Sequence, residues 1–178
     1  MRGLFTPEPA LAAALIHPPA APLLAPLVEG ALAPDQAEGL DLILEGFLLH
    51  HGRPRHLDAP AHGAGLLAGD YCYATGLVRV AGAGDLAVIR ALADLIATGA
   101  ALAATGRHAA LVPLWRGTVA AITRRHDPQA LAAHGRAVEH LRAGRTDEAQ
   151  VVLTVLAADL PPTPALAAAL EHPQESPA

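Results

Sequence analysis

Residues 47–73 read FLLHHGRPRHLDAPAHGAGLLAGDYCY and join two apolar segments through a short polar connection. The first segment, Asp41 to His51, carries apolar residues at helical spacing and stops at Gly52. The second segment runs from Ala61 to Val80. Apolar residues three and four positions apart are typical of a helix that packs against a core. The stretch therefore predicts two buried helices, the first ending at a left-handed Gly52.

The polar connection between these helices is where we expect a functional site. Polar groups that converge between buried helices are typical of a binding pocket. The residues concerned are His50, His51, Arg53, Arg55, His56, Asp58 and His62.

Similar spacing predicts helices along the whole chain. The segments are 6–16, 35–51, 60–80, 85–104, 107–126, 127–144, 146–160 and a last helix from 163, with a short helical piece possible at 23–30. Thr6, Asp35 with Glu38, Asp85 and Asp127 are expected to cap helices, because their side chains accept hydrogen bonds from free backbone N–H groups. Asp58 with Pro60 is the expected start of segment 60–80, and Pro113 is expected to interrupt or kink segment 107–126. With no alternating strand pattern, the sequence predicts an all-α bundle of six to eight helices.

Composition indicates one domain over 1–178, with a Pro-rich segment 1–34, core helices 35–105, C-terminal helices 106–171 and a tail 172–178. All 12 basic residues are arginine and the net charge is −5, which argues against nucleic-acid binding. One cysteine, Cys72, fits a reducing compartment. No stretch reaches about 18 uninterrupted apolar residues, so we expect a cytoplasmic protein without a transmembrane segment.

Three short motifs occur in a recognisable order. They are Leu48-Leu49-His50, then Gly52-Arg53-Pro54, then Leu67-Ala68-Gly69-Asp70-Tyr71. This order resembles the trans-isoprenyl diphosphate synthases (polyprenyl synthetases) over about residues 35–105. The resemblance implies an isoprenyl-synthase-like helical fold.

The departures from that family concern its catalytic acids. Where the family carries clustered aspartates that hold Mg²⁺ against a diphosphate, this chain has His51-Gly52. The resemblance therefore implies a non-catalytic subunit, either a homodimer or a heterodimer with a catalytic isoprenyl diphosphate synthase. No cofactor is expected, and Mg²⁺ would come only through such a partner.

Two ligand sites remain as hypotheses. Arg53, Arg55, His56 and Asp70 form a candidate diphosphate site, since guanidinium groups match phosphate oxygens; the alternative is charge complementarity at a helix end and a partly buried structural carboxylate. A candidate metal site uses nitrogen and oxygen ligands; the alternative is solvated or capping histidines. Its residues are His50, His51, His56, Asp58 and His62.

Other residues lead to further expectations. Cys72 and Tyr73 are expected in the core, with a nucleophilic Cys72 as the alternative. Leu67 is expected to be buried, so that Leu67→Asp would unfold the protein. Trp115 is expected at an interface or at the core edge.

Residues 137–170 resemble one tetratricopeptide-type hairpin, which leaves two further function classes open. These are a helical interaction module and an enzyme that uses the histidine-rich connection.

Overall fold

The computed structural model describes residues 9–18, 20–58 and 62–170. Eight α-helices occur there: α1 Pro9–Ala13, α2 Pro34–His51, α3 His62–Ala81, α4 Leu86–Ala104, α5 Leu111–Thr123, α6 Pro128–Arg142, α7 Thr146–Leu156 and α8 Pro164–Leu170. Short 3-10 helices lie at Ala25–Val28 and His108–Ala110. The described residues form no β-strand, so the prediction of an all-α helical bundle is confirmed.

Helix α2 occupies the centre of the bundle. Thirteen of its 18 residues are buried, in an unbroken run from Gly39 to Leu49 together with Gln36 and Ala37. Leu40, Ile43 and Leu44 belong to the main apolar core, whereas Leu42 and Leu49 pack in a second cluster with Ala68 and Cys72 of α3. A helix that is buried on every side needs neighbours all around it.

Glycines bring α2 and α3 into backbone contact at two levels. A Cβ atom on Gly76 would lie 2.6 Å from the Gly39 carbonyl oxygen, and one on Gly46 would lie 2.9 Å from the Gly69 carbonyl oxygen. On α3 this close approach therefore depends on Gly69 and Gly76. At Gly63 an added Cβ would meet nothing within 4 Å, so this glycine takes no part in the contact.

The C-terminal helices complete the core. The Phe47 and Trp115 rings meet edge to face with centroids 5.5 Å apart. Trp115 is 1% exposed and so is a core residue, not an interface anchor. Helices α6 and α7 form a hairpin through Gly144, whose φ of 77° favours glycine. The next side chain along α5, Arg116, donates to the carbonyl oxygens of Ala157, Leu160 and Pro161 just beyond the end of α7.

Two of the predicted helix caps are confirmed. Asp85 accepts from the backbone N–H groups of Ala87 and Val88, and Asp127 accepts from Gln129. The segment containing Thr6 and the chain around Pro60 lie outside the described residues.

Other local predictions were wrong. Helix α2 starts at Pro34, where the Gln36 side chain accepts from the Ala33 N–H, while Asp35 and Glu38 face Arg79 instead of capping. Gly52 ends α2 with an extended φ of −149°, so the left-handed stop does not form.

Pro113 does not kink a helix. It lies in the first turn of α5, where backbone N–H groups have no intrahelical acceptor, so the missing N–H of proline breaks no such bond.

Helix α4 has the length and apolar composition of a membrane span. Buried residues make up 39% of its most apolar window, and their side chains include Val88, Leu92, Leu95 and Leu102 of the main core. The core helix of a soluble protein can have the same length and apolar composition.

Candidate functional site

His50 and Asp70 are brought together across the α2–α3 contact. His50 Nε2 lies 3.2 Å from Asp70 Oδ1, and the imidazole stacks on Tyr73 at 5.5 Å between ring centroids and an interplanar angle of 11°. Gly69 leaves room for this ring, since a Cβ there would lie 2.6 Å from His50 Nε2. His50 belongs to the candidate metal site and Asp70 to the candidate diphosphate site, so the contact combines one residue from each.

Asp70 is not partly buried as expected, because its side chain is 70% exposed. Tyr73 is half-buried and packs against the core, as expected.

His51 takes a different direction from His50. Its ring lies 4.9 Å from the Phe47 ring and 5.9 Å from the His50 ring, measured between centroids. Burial lowers the pKa of His51, and the nearby His50 and His108 rings lower it further. This imidazole is therefore an uncharged part of the aromatic packing at the end of α2.

The two candidate arginines have unequal surroundings. Arg53 is exposed. Arg55 donates through Nη2 to the Ala21 carbonyl oxygen at 2.9 Å. Burial lowers the pKa of Arg55, while the charges of Glu45 and Asp41 oppose that shift. Since Arg55 stays protonated in proteins, it supplies a positive charge to two buried carboxylates.

Those carboxylates, Asp41 and Glu45, were missed by sequence reasoning. Both project from α2, and they are 2% and 1% exposed. Asp41 accepts from the N–H groups of Leu23, Leu24 and Ala25 at 2.8–3.0 Å.

Glu45 makes the equivalent contacts with a different loop. It accepts from the N–H groups of Arg55, His56 and Leu57, at distances from 2.8 to 3.1 Å. Burial raises the pKa of both carboxyls, although the backbone N–H donors and Arg55 oppose it. Two acids one turn apart within an apolar run were the available signal, and their role is to fix two loops on α2.

The remaining metal candidates do not converge in the described chain. His56 is 3% exposed, and burial together with the charge of Arg55 lowers its pKa to about 4. Asp58 is exposed, and its backbone N–H bonds the Ala14 carbonyl oxygen at 2.7 Å. The His62 side chain lies outside the described residues. Among the side chains that are described, no three His, Cys, Asp or Glu residues are arranged to hold a metal ion.

Cys72 is a core residue, as expected. It is fully buried, and burial, reinforced by the negative charge of Glu45, raises its thiol pKa to about 12. The thiolate is the nucleophilic form of cysteine. Cys72 is therefore an inert packing group at neutral pH.

The outer face of α3 is apolar, and this also departs from the sequence prediction. Leu67 was expected in the core but is 71% exposed, and Val78 is 73% exposed. The buried face of α3 instead uses small residues, Ala68, Gly69, Cys72 and Gly76. Because glycine and alanine allow the close contact with α2, the larger apolar side chains point outward.

No model of a protein family, no curated protein and no solved structure matches the chain.

Proposed function

We propose that this protein is a non-catalytic helical subunit that works by association, with the outer face of α3 pairing against the same helix of a second copy. The observation that carries this proposal is an apolar stripe along that face. It runs over five turns of a helix whose opposite face is fixed on α2.

The stripe has the spacing of a coiled-coil seam. Its residues follow one another in alternating steps of three and four positions: Ala64, Leu67, Tyr71, Ala74, Val78 and Ala81. All are exposed except Tyr71, which is half-buried and also packs toward the cluster around Cys72. Steps of three and four place side chains on one line of a helix, ready to interdigitate with a partner helix.

The order of side-chain sizes favours an antiparallel pair. A two-fold axis at the midpoint of the stripe would place Ala64 opposite Ala81, Leu67 opposite Val78 and Tyr71 opposite Ala74. Each large residue then faces another apolar residue of suitable size. A symmetric dimer needs this kind of reciprocity, in which the two copies exchange the same contacts.

Charge placement is also compatible with pairing. Within His62–Ala81 the Asp, Glu and Arg residues are Asp70 and Arg79. Asp70 faces His50, while Arg79 bonds Asp35 and lies 3.7 Å from Glu38. Both charges are thus directed toward α2, so bringing two α3 helices together leaves no buried charge without a partner.

The proposal that the protein is non-catalytic rests on the contacts that the residues of the polar connection make within the chain. His50 contacts Asp70 and Tyr73, while Arg55 bonds the Ala21 carbonyl oxygen and is attracted by the charges of the two buried carboxylates. We expect the purified protein with Mg²⁺ to show no condensation of isopentenyl diphosphate with an allylic diphosphate. Product above a protein-free control would contradict this.

Light scattering coupled to size exclusion tests the association. We expect a species of twice the 18.2 kDa chain mass. The double variant Leu67→Glu/Val78→Glu should be monomeric. Val151→Glu/Val155→Glu is the matched control, because those α7 side chains are 65% and 72% exposed and lie off the stripe. A monomeric wild type, or a control that dissociates equally, would refute the proposed interface.

Cross-linking tests the antiparallel register. With Cys72→Ala removing the native thiol, the double variant Leu67→Cys/Val78→Cys should form disulfide-linked dimers under mild oxidation. Leu67→Cys alone should remain uncross-linked, because its counterpart would lie far along the partner helix. Disulfide-linked dimers formed by Leu67→Cys alone would indicate parallel pairing instead.

The family resemblance gives a narrower form of this proposal, in which the partner is a catalytic isoprenyl diphosphate synthase. Affinity capture from the native cell, followed by a synthase assay of the captured material, tests it. A synthase recovered with wild type but lost with Leu67→Glu/Val78→Glu would replace the second copy as the occupant of the stripe. A wild type that is monomeric and captures no synthase would favour a free-standing interaction module.

A further inference from the structure

A cleft of about 610 Å³ lies between α4 and α6, far along the chain from the polar connection. Its size falls within the roughly 300–1,000 Å³ range of small-molecule sites. Helix α4 contributes Leu86, Arg90 and Asp94, and α6 contributes residues from Leu131 to Arg142. Gly135 lines the cleft and borders open space, since a Cβ on it would meet nothing within 4 Å.

The floor of the cleft is rigid and uncharged. His134 is 3% exposed, and its Nε2 lies 2.9 Å from Thr118 Oγ1. The Thr118 hydroxyl donates to the Leu114 carbonyl oxygen at 2.8 Å, so its oxygen accepts from His134 Nε2–H. Burial lowers the pKa of His134, an effect that Asp94 opposes and Arg142 reinforces. The imidazole is thus neutral and held in one orientation.

The charged side chains around this floor are unevenly paired. Arg142 Nη2 lies 2.6 Å from Asp94 Oδ1 and forms one ion pair on the wall. Arg90 and Arg136 also line the cleft, and both are exposed, with no ion pair or hydrogen bond to the described part of the chain. Three arginines face two acids, Asp94 and Glu139, so the cleft is locally positive on a chain whose net charge is −5.

We propose that this cleft binds a small organic anion, with its carboxylate or phosphate head held by Arg90 and Arg136 and its apolar body lying against Leu86, Leu131 and Val138. Guanidinium groups match the oxygen atoms of both heads. The apolar lining between the arginines distinguishes this ligand from a bare inorganic ion. The proposal is independent of association through α3.

Titration calorimetry with hexyl phosphate and with hexanoate tests the proposal. We expect saturable binding of at least one of them to the wild type, weaker binding of inorganic phosphate, and none of hexyltrimethylammonium. Arg90→Gln/Arg136→Gln should weaken binding by about tenfold for each arginine. Gly135→Leu, which fills the cleft, should abolish it.

Two variants serve as controls. Arg53→Gln removes an exposed arginine of the polar connection, and Ala93→Leu adds the same bulk at an exposed α4 position outside the cleft lining. Both should bind like the wild type, as should Leu67→Glu/Val78→Glu. The proposal is overturned if neither anion binds the wild type, if the double arginine variant binds equally well, or if Arg53→Gln alone abolishes binding. Inorganic phosphate binding as tightly as hexyl phosphate would overturn the apolar part of the site.

Discussion

Helices α2 and α3 pack against each other in antiparallel orientation, yet they differ in what they bury. Helix α2 buries charged residues, whereas α3 exposes large apolar ones. Helix α2 buries two carboxylates, Asp41 and Glu45, at 2% and 1% exposure. Helix α3 exposes Leu67 and Val78 at more than 70%. The same kind of apolar run in the sequence therefore corresponds to a fully enclosed helix in one case and to a half-exposed helix in the other.

The difference follows from what each helix faces. Each acid of α2 lies against three backbone N–H groups of a loop, and such donors offset the cost of burying a charge. Helix α3 faces α2 through glycine, alanine and cysteine, so its larger side chains have no place in that contact. A buried polar residue and an exposed apolar one are more informative here than the apolar residues in the core.

The largest expected effect comes from removing a buried carboxylate of α2. Glu45→Ala would leave the N–H groups of Arg55, His56 and Leu57 without their acceptor and would leave Asp41 as the nearby charge for Arg55. We expect a loss of about 3–5 kcal/mol in the free energy of unfolding, because each buried N–H group left without an acceptor costs about 1–3 kcal/mol. Urea denaturation measures it, with the exposed Glu139→Ala as control. Equal stability of the two variants would mean that Glu45 does not hold the loop.

The loop bonded to Glu45 contains His56, whose burial should make the free energy of unfolding depend on pH. The pKa of His56, lowered by burial to about 4, lies below its ordinary value of 6.5. The unfolded chain then takes up a proton that the folded chain excludes, so stability is full above pH 6.5 and falls as the pH drops toward 4. At low pH the buried His56 should reduce the free energy of unfolding by up to about 3 kcal/mol.

The variant His56→Gln separates the contribution of His56 to the pH dependence from the opposite contributions of Asp41 and Glu45. Burial raises the pKa of Asp41 and Glu45, so these acids lose stability as the pH rises and act against His56. His56→Gln should therefore lose less stability than the wild type between pH 6.5 and pH 4.5, measured by urea denaturation at each pH. Identical losses would exclude a buried neutral His56.

A smaller effect is expected where the two helices touch. Gly76→Ala would place a methyl group 2.6 Å from the Gly39 carbonyl oxygen, which is backbone and cannot turn aside. We expect a destabilisation of about 1–3 kcal/mol, as for other overpacked cores. Gly63→Ala on the same helix meets nothing within 4 Å and should gain up to about 1 kcal/mol. Thermal unfolding of both variants decides the point, since an equal gain in the two would contradict the backbone contact.

The smallest effect on folding should come from the outer face of α3. Leu67→Asp changes a 71% exposed side chain, so we expect the free energy of unfolding of the monomer to change by less than about 0.5 kcal/mol. Urea denaturation of dilute protein measures this, with the 2% exposed Leu44→Asp as the destabilised comparison. If Leu67→Asp unfolded the protein, Leu67 would be buried, as the sequence predicted.

The sequence predicted the helices well because periodicity and end signals are local. Asp85 and Asp127 act within two or three residues of their helices, so their roles follow from sequence alone. Gly52, in contrast, takes an extended conformation where an added Cβ would lie 3.4 Å from the Ala169 carbonyl oxygen of α8, a contact that depends on tertiary packing.

The candidate site was harder to predict for the same reason. Arg55 follows a histidine-rich run and suggests phosphate binding, but its environment comes from Asp41 and Glu45, ten or more residues earlier. Residues 35 positions or more apart, such as Arg90 and Arg136, come to line one cleft only through the packing of α4 on α6. No spacing rule within a single helix could have indicated that arrangement.

The two carboxylate contacts of α2 have a consequence for backbone dynamics. Six amide hydrogens at residues 23–25 and 55–57 are bonded to a side chain of α2, and all but that of Ala25 lie outside any helix. We expect their exchange with solvent to be linked to the opening of α2, because the carboxylates that accept from them are 2% and 1% exposed on that helix. These amides should therefore exchange as slowly as those of the central helix, and the two loops should resist proteases for as long as that helix remains in place.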